Sequence, residues 1–242
     1  EPQTQNLARR RLALTSRDGV MTASEHESRL LQSLERTTRW LERCKKAHAK
    51  PDTQSLFGIV QGGTNLDLRA RSAEQVCNIE LPGYAIGGVA VGESPEKIQE
   101  VVKFTAKLLP EEKPRYLMGV GYERDIVSAV ASGIDMFDCV LPTRNGRNGH
   151  AFTRNGQLHL KNACFKADNS VIEEGCSCAT CIAGHSKAYL RHLIMSKEML
   201  SGILLSIHNI HHFQSLMIDI RLAIRDNSWS ALPNRWPVLL AK

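Results

Sequence analysis

No run of 18 apolar residues occurs in this chain of 242 residues, so no membrane-spanning helix is expected. No internal repeat or low-complexity segment is evident, so no repeat architecture is expected. The even cysteine count of a disulfide framework is missing as well. There are seven cysteines, Cys44, Cys77, Cys139, Cys164, Cys176, Cys178 and Cys181, and three of them fall within six residues. That pattern argues for a metal cluster in a reducing, cytoplasmic compartment. Acids are scarce at the start, where Glu1 is the only one in the Arg-rich stretch 1–17. This composition faintly resembles a transit peptide, but the chain begins at Glu1 without a methionine and no targeting segment is expected. What is present fits a globular protein: 42% hydrophobic and 23% charged residues, with length for one large domain or a domain plus an appendage. A net charge of +6 favours an anionic partner, with nucleic acid the obvious class.

Residues 1–21 show no clean period and are expected to be poorly ordered. Thr22-Ala23-Ser24-Glu25 reads as a capping box. It opens a long helix, with Leu30, Leu31, Leu34, Trp40 and Leu41 on one face, ending near Lys50-Pro51. Strands and helices then alternate. Strands are predicted at 56–60, 84–89, 115–118 and 135–141, and helices at 66–78, 94–109 and 123–132. Ser94-Pro95-Glu96 supplies an N-cap, a first-turn proline and an early acid. This alternation with short loops means a parallel sheet, either an open α/β sheet or part of a (β/α)₈ barrel. After Gly149 the pattern changes. Residues 151–160 alternate around Asn155-Gly156, a strong hairpin signal. The cysteine cluster follows, then helices from about Ser186 to Leu200 and from about Ile210 to Asp226. Residues 227–242 carry no clear element.

The stretch Gly133–Gly149 organises the rest. Its first half reads as a buried strand with Asp138 in the middle, and a carboxylate is costly to bury without a partner. Pro142 follows, then a loop with Arg144 and Arg147 beside Gly146 and Gly149. A carboxylate at a strand end before a cationic loop suits chemistry on a phosphate-bearing substrate. A structural Asp–Arg pair is the alternative. In a parallel barrel Gln61, Gly88, Met118 and Asp138 would share the face that holds active sites. Cys176, Cys178 and Cys181 give three soft ligands in one loop, which suits tetrahedral zinc. The fourth ligand is open among His185, His192, His208, His211 and His212.

The motif Met136-Phe137-Asp138-Cys139-Val140-Leu141-Pro142-Thr143-Arg144 resembles the nucleophile motif of tRNA-guanine transglycosylases. The resemblance runs from about Thr22 to about Asp226. It implies a (β/α)₈ TIM barrel, here a partial barrel over residues 22–149 with an appended hairpin, zinc-binding subdomain and C-terminal helices over 150–242. It implies a pentosyltransferase that replaces the guanine of a tRNA wobble guanosine by a preQ1-type base, or by queuine, during queuosine synthesis. Asp138 matches the nucleophile, which forms a covalent ester with the ribose. Gln61, in Phe57-Gly58-Ile59-Val60-Gln61-Gly62-Gly63, matches the side chain that hydrogen-bonds the base. Gly88 and Val89 match backbone groups of the same pocket, and Met118 a residue that packs on the base face. Val91 matches a bulky position that restricts the pocket to preQ1, and Glu93 the acid that engages the aminomethyl group of that base. Gly119 to Asp125 and Thr143 to Arg147, including Arg144, match RNA-contacting loops. The metal motif ends in a His-Asn pair, which His208-Asn209 fits, so zinc would be structural. The resemblance further implies a homodimer with the zinc region near its interface.

The chain departs from the family pattern in two acids. The general acid/base of an Asp-Ser-Gly-Gly-Phe-Gln type motif is absent. A second acid, contacting the base edge, has only Asp18 at roughly the right place, with flanks that do not match. A non-catalytic tRNA-binding or partner-subunit fragment is therefore the second reading. A metal-dependent hydrolase is the third, and it suffers because the cysteine cluster leaves no catalytic ligand set. Half a barrel would expose sheet edges, so the chain alone is expected to be unstable or to aggregate.

Overall fold

The structure, a computed structural model, describes residues 23–240. The stretch 1–21, Thr22 of the expected capping box and Asp18 lie outside the described residues. The chain divides into two compact units. The first holds the residues up to Val120 together with Ser128–Asp138, and the second holds Gly121–Val127 together with everything from Cys139 onward.

In the first unit, helix α1 (Ala23–Ala47) precedes strand β1 (Phe57–Val60), helix α2 (Leu66–Cys77), strand β2 (Gly83–Ile86), helix α3 (Pro95–Ala106) and strand β3 (Arg115–Leu117). Helix α4 (Glu123–Ala131) is shared between the units, and strand β4 (Met136–Phe137) closes the series. The four strands are parallel and hydrogen-bonded in chain order, β1-β2-β3-β4. Sequential order without reversal is the winding of a (β/α)₈ barrel, whereas a doubly wound sheet reverses at a switch point. The fold is therefore a run of barrel units, and the open-sheet alternative falls.

Local chemistry explains the helix starts. Oδ1 of Asn65 accepts from the N–H groups of Asp67 (3.0 Å) and Leu68 (3.1 Å), which caps α2. Oγ of Ser94 accepts from Lys97 N ahead of Pro95, as the sequence predicts for α3. Val60, Ile86 and Leu117 lie under Val76, Val101 and Ala106 in one core. Each of the Val, Ile and Leu side chains contributes about 1.5–3 kcal/mol by leaving water.

In the second unit, helix α5 (Leu141–Arg147) leads into the hairpin β5 (His150–Thr153) and β6 (Gly156–His159), then α6 (Ala179–Ile182), α7 (Lys187–Met195), α8 (Met199–Arg225) and the short α9 (Leu232–Arg235). The hairpin turns at Asn155-Gly156 as expected, pairing Thr153 with Gly156.

Three expectations are corrected. The predicted strand 135–141 is only Met136–Phe137, and the residues from 143 that read as a loop belong to the helix α5. Pro142 sits in the first turn of α5, where a missing N–H costs nothing. Gly146 lets α5 approach α8 closely, since a Cβ there would stand 2.9 Å from Ser206 N. This packing assigns α5 to the second unit, although the sequence groups it with residues 22–149. Finally, the two C-terminal helices do not divide between 200 and 210. Lys197 takes φ +59 and Glu198 N donates to Leu193 O (2.9 Å), so the break falls at 196–198 and α8 runs on for 27 residues. The last stretch has order that the sequence did not suggest. Trp236 is fully buried, and its Nε1–H donates to Asp219 Oδ2 (2.8 Å).

Candidate active site and metal centre

Strand register builds the first site. Val60 pairs with Ile86, Ile86 with Leu117, and Leu117 with Phe137, so these four residues form one row across the sheet. The next residue on each strand is Gln61, Gly87, Met118 and Asp138. They stand side by side on the C-terminal edge, the edge that carries chemistry in barrels. Nε2 of Gln61 and Sδ of Met118 both lie within 3.5 Å of the point where a Cβ on Gly87 would sit. Gly88, at φ +63, has its own Cβ position blocked by Oε1 of Gln61. Gln61 therefore folds across the Gly87-Gly88 turn, and any side chain at 88 would displace it. Val89 is buried just beyond.

Asp138 is exposed, not buried as its apolar neighbours suggest. The strand ends one residue before it, and its partners are not arginines. Oδ1 of Asp138 accepts from the Tyr116 hydroxyl (2.6 Å) and from Gly119 N–H (3.0 Å). Oδ2 has no hydrogen bond among the described residues. The Tyr116 hydroxyl is pushed up to about 12, first by its hydrogen bond to Asp138 and then by desolvation. The Asp–Arg pair considered from the sequence is thus excluded as the fate of this carboxylate, and Gly119 spends its N–H on Asp138.

Arg69 was not singled out by sequence, yet it supports the whole pocket floor. It is fully buried and donates to Gly63 O from Nε (2.9 Å), Val60 O from Nη1 (3.1 Å) and Gly88 O from Nη2 (3.1 Å). One guanidinium ties the end of β1, the following turn and the Gly88 turn together. Desolvation pulls its pKa down to about 10, with the charge of Glu93 acting the other way. Oε2 of Glu93 accepts from Val91 N (2.8 Å) and Gly92 N (3.1 Å), so this acid is folded onto its own loop beside an exposed Val91. Nothing in the sequence marks Arg69, because burial of an arginine shows only in three dimensions. Arg69→Leu would leave Gly63 O and Gly88 O without this donor, at about 1–3 kcal/mol each, while Val60 O keeps the N–H of Gly87. A loss of stability on the order of 2 kcal/mol or more, read by denaturant titration, is the expected outcome. An unchanged midpoint would refute this account of the pocket floor.

The second site lies wholly in the second unit. The ligand atoms of Cys176, Cys178, Cys181 and His208 all fall within 4.8 Å of one another. Nδ1 of His208 stands 3.7, 3.4 and 3.5 Å from the three sulfurs in that order. A regular tetrahedron with ordinary zinc–sulfur and zinc–nitrogen bonds puts S and N about 3.5 Å apart. Nε2 of His208 is 2.8 Å from Phe152 O. A carbonyl can only accept, so Nε2 carries the proton and Nδ1 turns its lone pair to the sulfurs. Burial raises the Cys176 thiol, and the hydrogen bond to Cys178 followed by burial raises Cys181, while hydrogen bonds from Cys181 and then His208 hold Cys178 low.

Asn209, next to this ligand, completes the anchor. It is fully buried, accepts from Phe152 N (3.0 Å) and donates to Pro142 O (2.9 Å) and His150 O (3.0 Å). The open edge of β5 and the start of α5 thus hang from the His208-Asn209 pair. The other histidines are engaged elsewhere. His212 Nε2 meets Glu123 Oε1 (2.8 Å) in a buried pair, His211 meets Ser177 Oγ, and His185 stacks on Tyr189. His192 is not in the group.

Arg144 and Arg147 are exposed in the last turn of α5, where cations suit the helix dipole. Neither forms an ion pair among the described residues. Thr143 and Arg147 border a groove of about 800 Å³ with Lys161, Lys197, Ile203 and Ile207. Asp125 lies in the first turn of α4.

Barrel strand ends that present a carboxylate beside an amide and a glycine turn, on a chain that also carries a Cys₃His group able to hold a metal ion, define a class: a barrel protein with a separate metal-binding module. The family described as queuine tRNA-ribosyltransferase matches residues 13–237, and the chain belongs to it. It is 52% identical over 209 residues to a queuine tRNA-ribosyltransferase of a Cyanothece species, covering 86% of this chain and 55% of that protein. It is 53% identical over 197 residues to the Thermus thermophilus protein of that name, covering 81% and 51%. The Lysinibacillus sphaericus counterpart is 50% identical over 198 residues, covering 82% and 52%. The chain spans about half the length of these relatives.

Proposed function

We propose that this chain carries the nucleophile, part of the base pocket and the metal module of a tRNA base-exchange enzyme. Asp138 attacks the anomeric carbon of the wobble guanosine, guanine leaves, and an incoming base displaces Asp138. The observation that carries this reading is the row Gln61, Gly87, Met118, Asp138. It sets an amide and a soft packing surface next to a carboxylate with one oxygen unoccupied. Gln61, with the backbone of Gly88 and Val89, takes the polar edge of the base, and Met118 packs on its face. Val91 and Glu93 select a small aminomethyl base of the preQ1 type over queuine. Thr143, Arg144, Arg147, Gly119 and Asp125 lie in the segments that meet the RNA. Arg144 and Arg147, without an ion pair among the described residues, are suited to phosphates.

The ion we assign to Cys176, Cys178, Cys181 and His208 is zinc, from the softness of the donors and their tetrahedral spacing. With four protein ligands no open position remains, so the ion fixes structure. No helix of the described residues is long and apolar enough to cross a membrane. We assign the reaction to the cytoplasm because its proposed substrate is tRNA.

The test is incubation of the chain with tRNA and labelled guanine. Label entering the tRNA supports base exchange. Retention of tRNA without exchange favours the binding-only reading, and the loss of both overturns the proposal.

We further assign self-association to the exposed apolar side of α8. Met199, Ile203, Ile207 and Ile210 recur there at helical spacing and stand 39–85% exposed. A second copy is the occupant. Ile203→Glu is expected to convert a dimer to a monomer in sedimentation equilibrium, and an unsubstituted chain that runs as a monomer would reject this.

A further inference from the structure

Asp138 offers its two oxygens unequally. Oδ1 receives the Tyr116 hydroxyl at 2.6 Å and the Gly119 N–H at 3.0 Å, whereas Oδ2 receives nothing among the described residues. In the exchange proposed above, on which this inference rests, the two oxygens must then do different work. We propose that Oδ2 is the attacking atom and that Tyr116 is a catalytic residue of the second half-reaction, donating to the oxygen on which charge returns when the RNA leaves the enzyme.

The electron count makes this specific. In the first half, Oδ2 forms a bond to C1′ as the bond from C1′ to N9 breaks. N9 departs with the bonding pair and takes a proton from water. Asp138 is now an ester, and Oδ1 is its carbonyl oxygen. In the second half, N9 of the incoming base gives its proton to water and forms the new bond to C1′. The C1′–Oδ2 bond breaks, and its pair returns to the carboxylate, shared with Oδ1. Negative charge on Oδ1 therefore falls in the first half and grows in the second. Two donors fixed on Oδ1 favour the free carboxylate over the ester, much as an oxyanion hole favours a developing charge. They slow the attack somewhat and speed the release. Strand register supplies the placement. Tyr116 lies on β3 directly across from Met136, two residues before Asp138, so its ring extends along the sheet edge towards the carboxylate.

The experiment compares the chain with Tyr116→Phe, which keeps the ring and removes only the donor. Each is incubated with tRNA and labelled guanine. Exchange is followed by label in the tRNA, and the covalent RNA–protein adduct by denaturing electrophoresis. Turnover of the adduct, read as label entering the tRNA per unit of adduct, is expected to fall roughly tenfold to a hundredfold, the effect of one hydrogen bond to a charged group, while the steady-state adduct rises. This split separates the role from a merely structural one, which would lower adduct and exchange together. A common fall, or no change in either, overturns the inference while leaving base exchange intact. No adduct in the unsubstituted chain overturns base exchange and this inference with it. Incorporation of 3-fluorotyrosine at 116, a stronger donor of nearly the same shape, gives the opposite sign. Less adduct than in the unsubstituted chain supports the proposal, and more adduct contradicts it.

Discussion

Asp138→Ala is expected to lower guanine exchange by roughly 10⁴-fold or more, because removing a nucleophile leaves only binding and electrostatics to act. The protein should remain folded. Asp138 is exposed, and its loss strands only the Tyr116 hydroxyl and one N–H, both near solvent. Surface changes of that kind stay within about 0.5 kcal/mol of the parent. The informative companion is Asp138→Asn. It still accepts from Tyr116 and Gly119 but is a poor nucleophile, so it should be as inactive as alanine and form no adduct. A variant retaining a tenth of the parent rate would remove Asp138 from its assigned role. The missing acid/base motif makes this measurement decisive for the chain as well as for the residue. Activity that depends on Asp138 would show that guanine and the incoming base exchange protons with water fast enough.

The second large effect concerns the metal. Structural zinc sites of this ligand type contribute about 10–16 kcal/mol of apparent binding energy at neutral pH. That equals or exceeds the whole stability of an ordinary domain, about 5–15 kcal/mol. Cys178→Ser, or treatment with a strong chelator, should therefore unfold the second unit. Cys178 is buried, caps α6 and faces His208 at 3.4 Å. His208 and Asn209 hold the edge of β5 and the start of α5, so the loss should spread from the metal loop to the hairpin. Metal content should fall from one zinc per chain to none, and much of the helical circular dichroism of α7 and α8 should go with it. Cys164→Ser is the control, since Cys164 is exposed and outside the group. A Cys178→Ser protein without metal but with the parent melting curve would refute a structural role.

The order of elements was legible because it rests on local rules. Apolar runs of strand length, the Ser94-Pro95 start of α3, the Asn155-Gly156 hairpin and the spacing of Cys176, Cys178 and Cys181 each write their physics within a few residues. The strand-end positions followed too, since a parallel sheet puts every strand end on one edge. The failures share a cause. Residues 135–149 look like a strand and a loop, yet Leu141–Arg147 form α5, because Gly146 against Ser206 and Asn209 against Pro142 stabilise a helix from 60 or more residues away. Asp138 looks buried among Met136, Phe137 and Val140, but the strand stops at Phe137, and Met136 and Val140 are exposed as well.

By itself the sequence determined the alternation of strands and helices, the position of the carboxylate, the metal loop and the basic charge that suits an RNA partner. Those are properties of neighbours in the chain. Which oxygen of Asp138 is left free and which cation braces the pocket were decided only by the tertiary structure, which also brought His208, the histidine that the resemblance had pointed to, onto the cysteines. His208, Tyr116 and Arg69 meet their partners across 27, 22 and 19 residues of chain in the longest or shortest of these contacts. Directional bonds of about 3 Å between such distant residues depend on the packing of strands and helices that brings them together, and no local pattern encodes that distance.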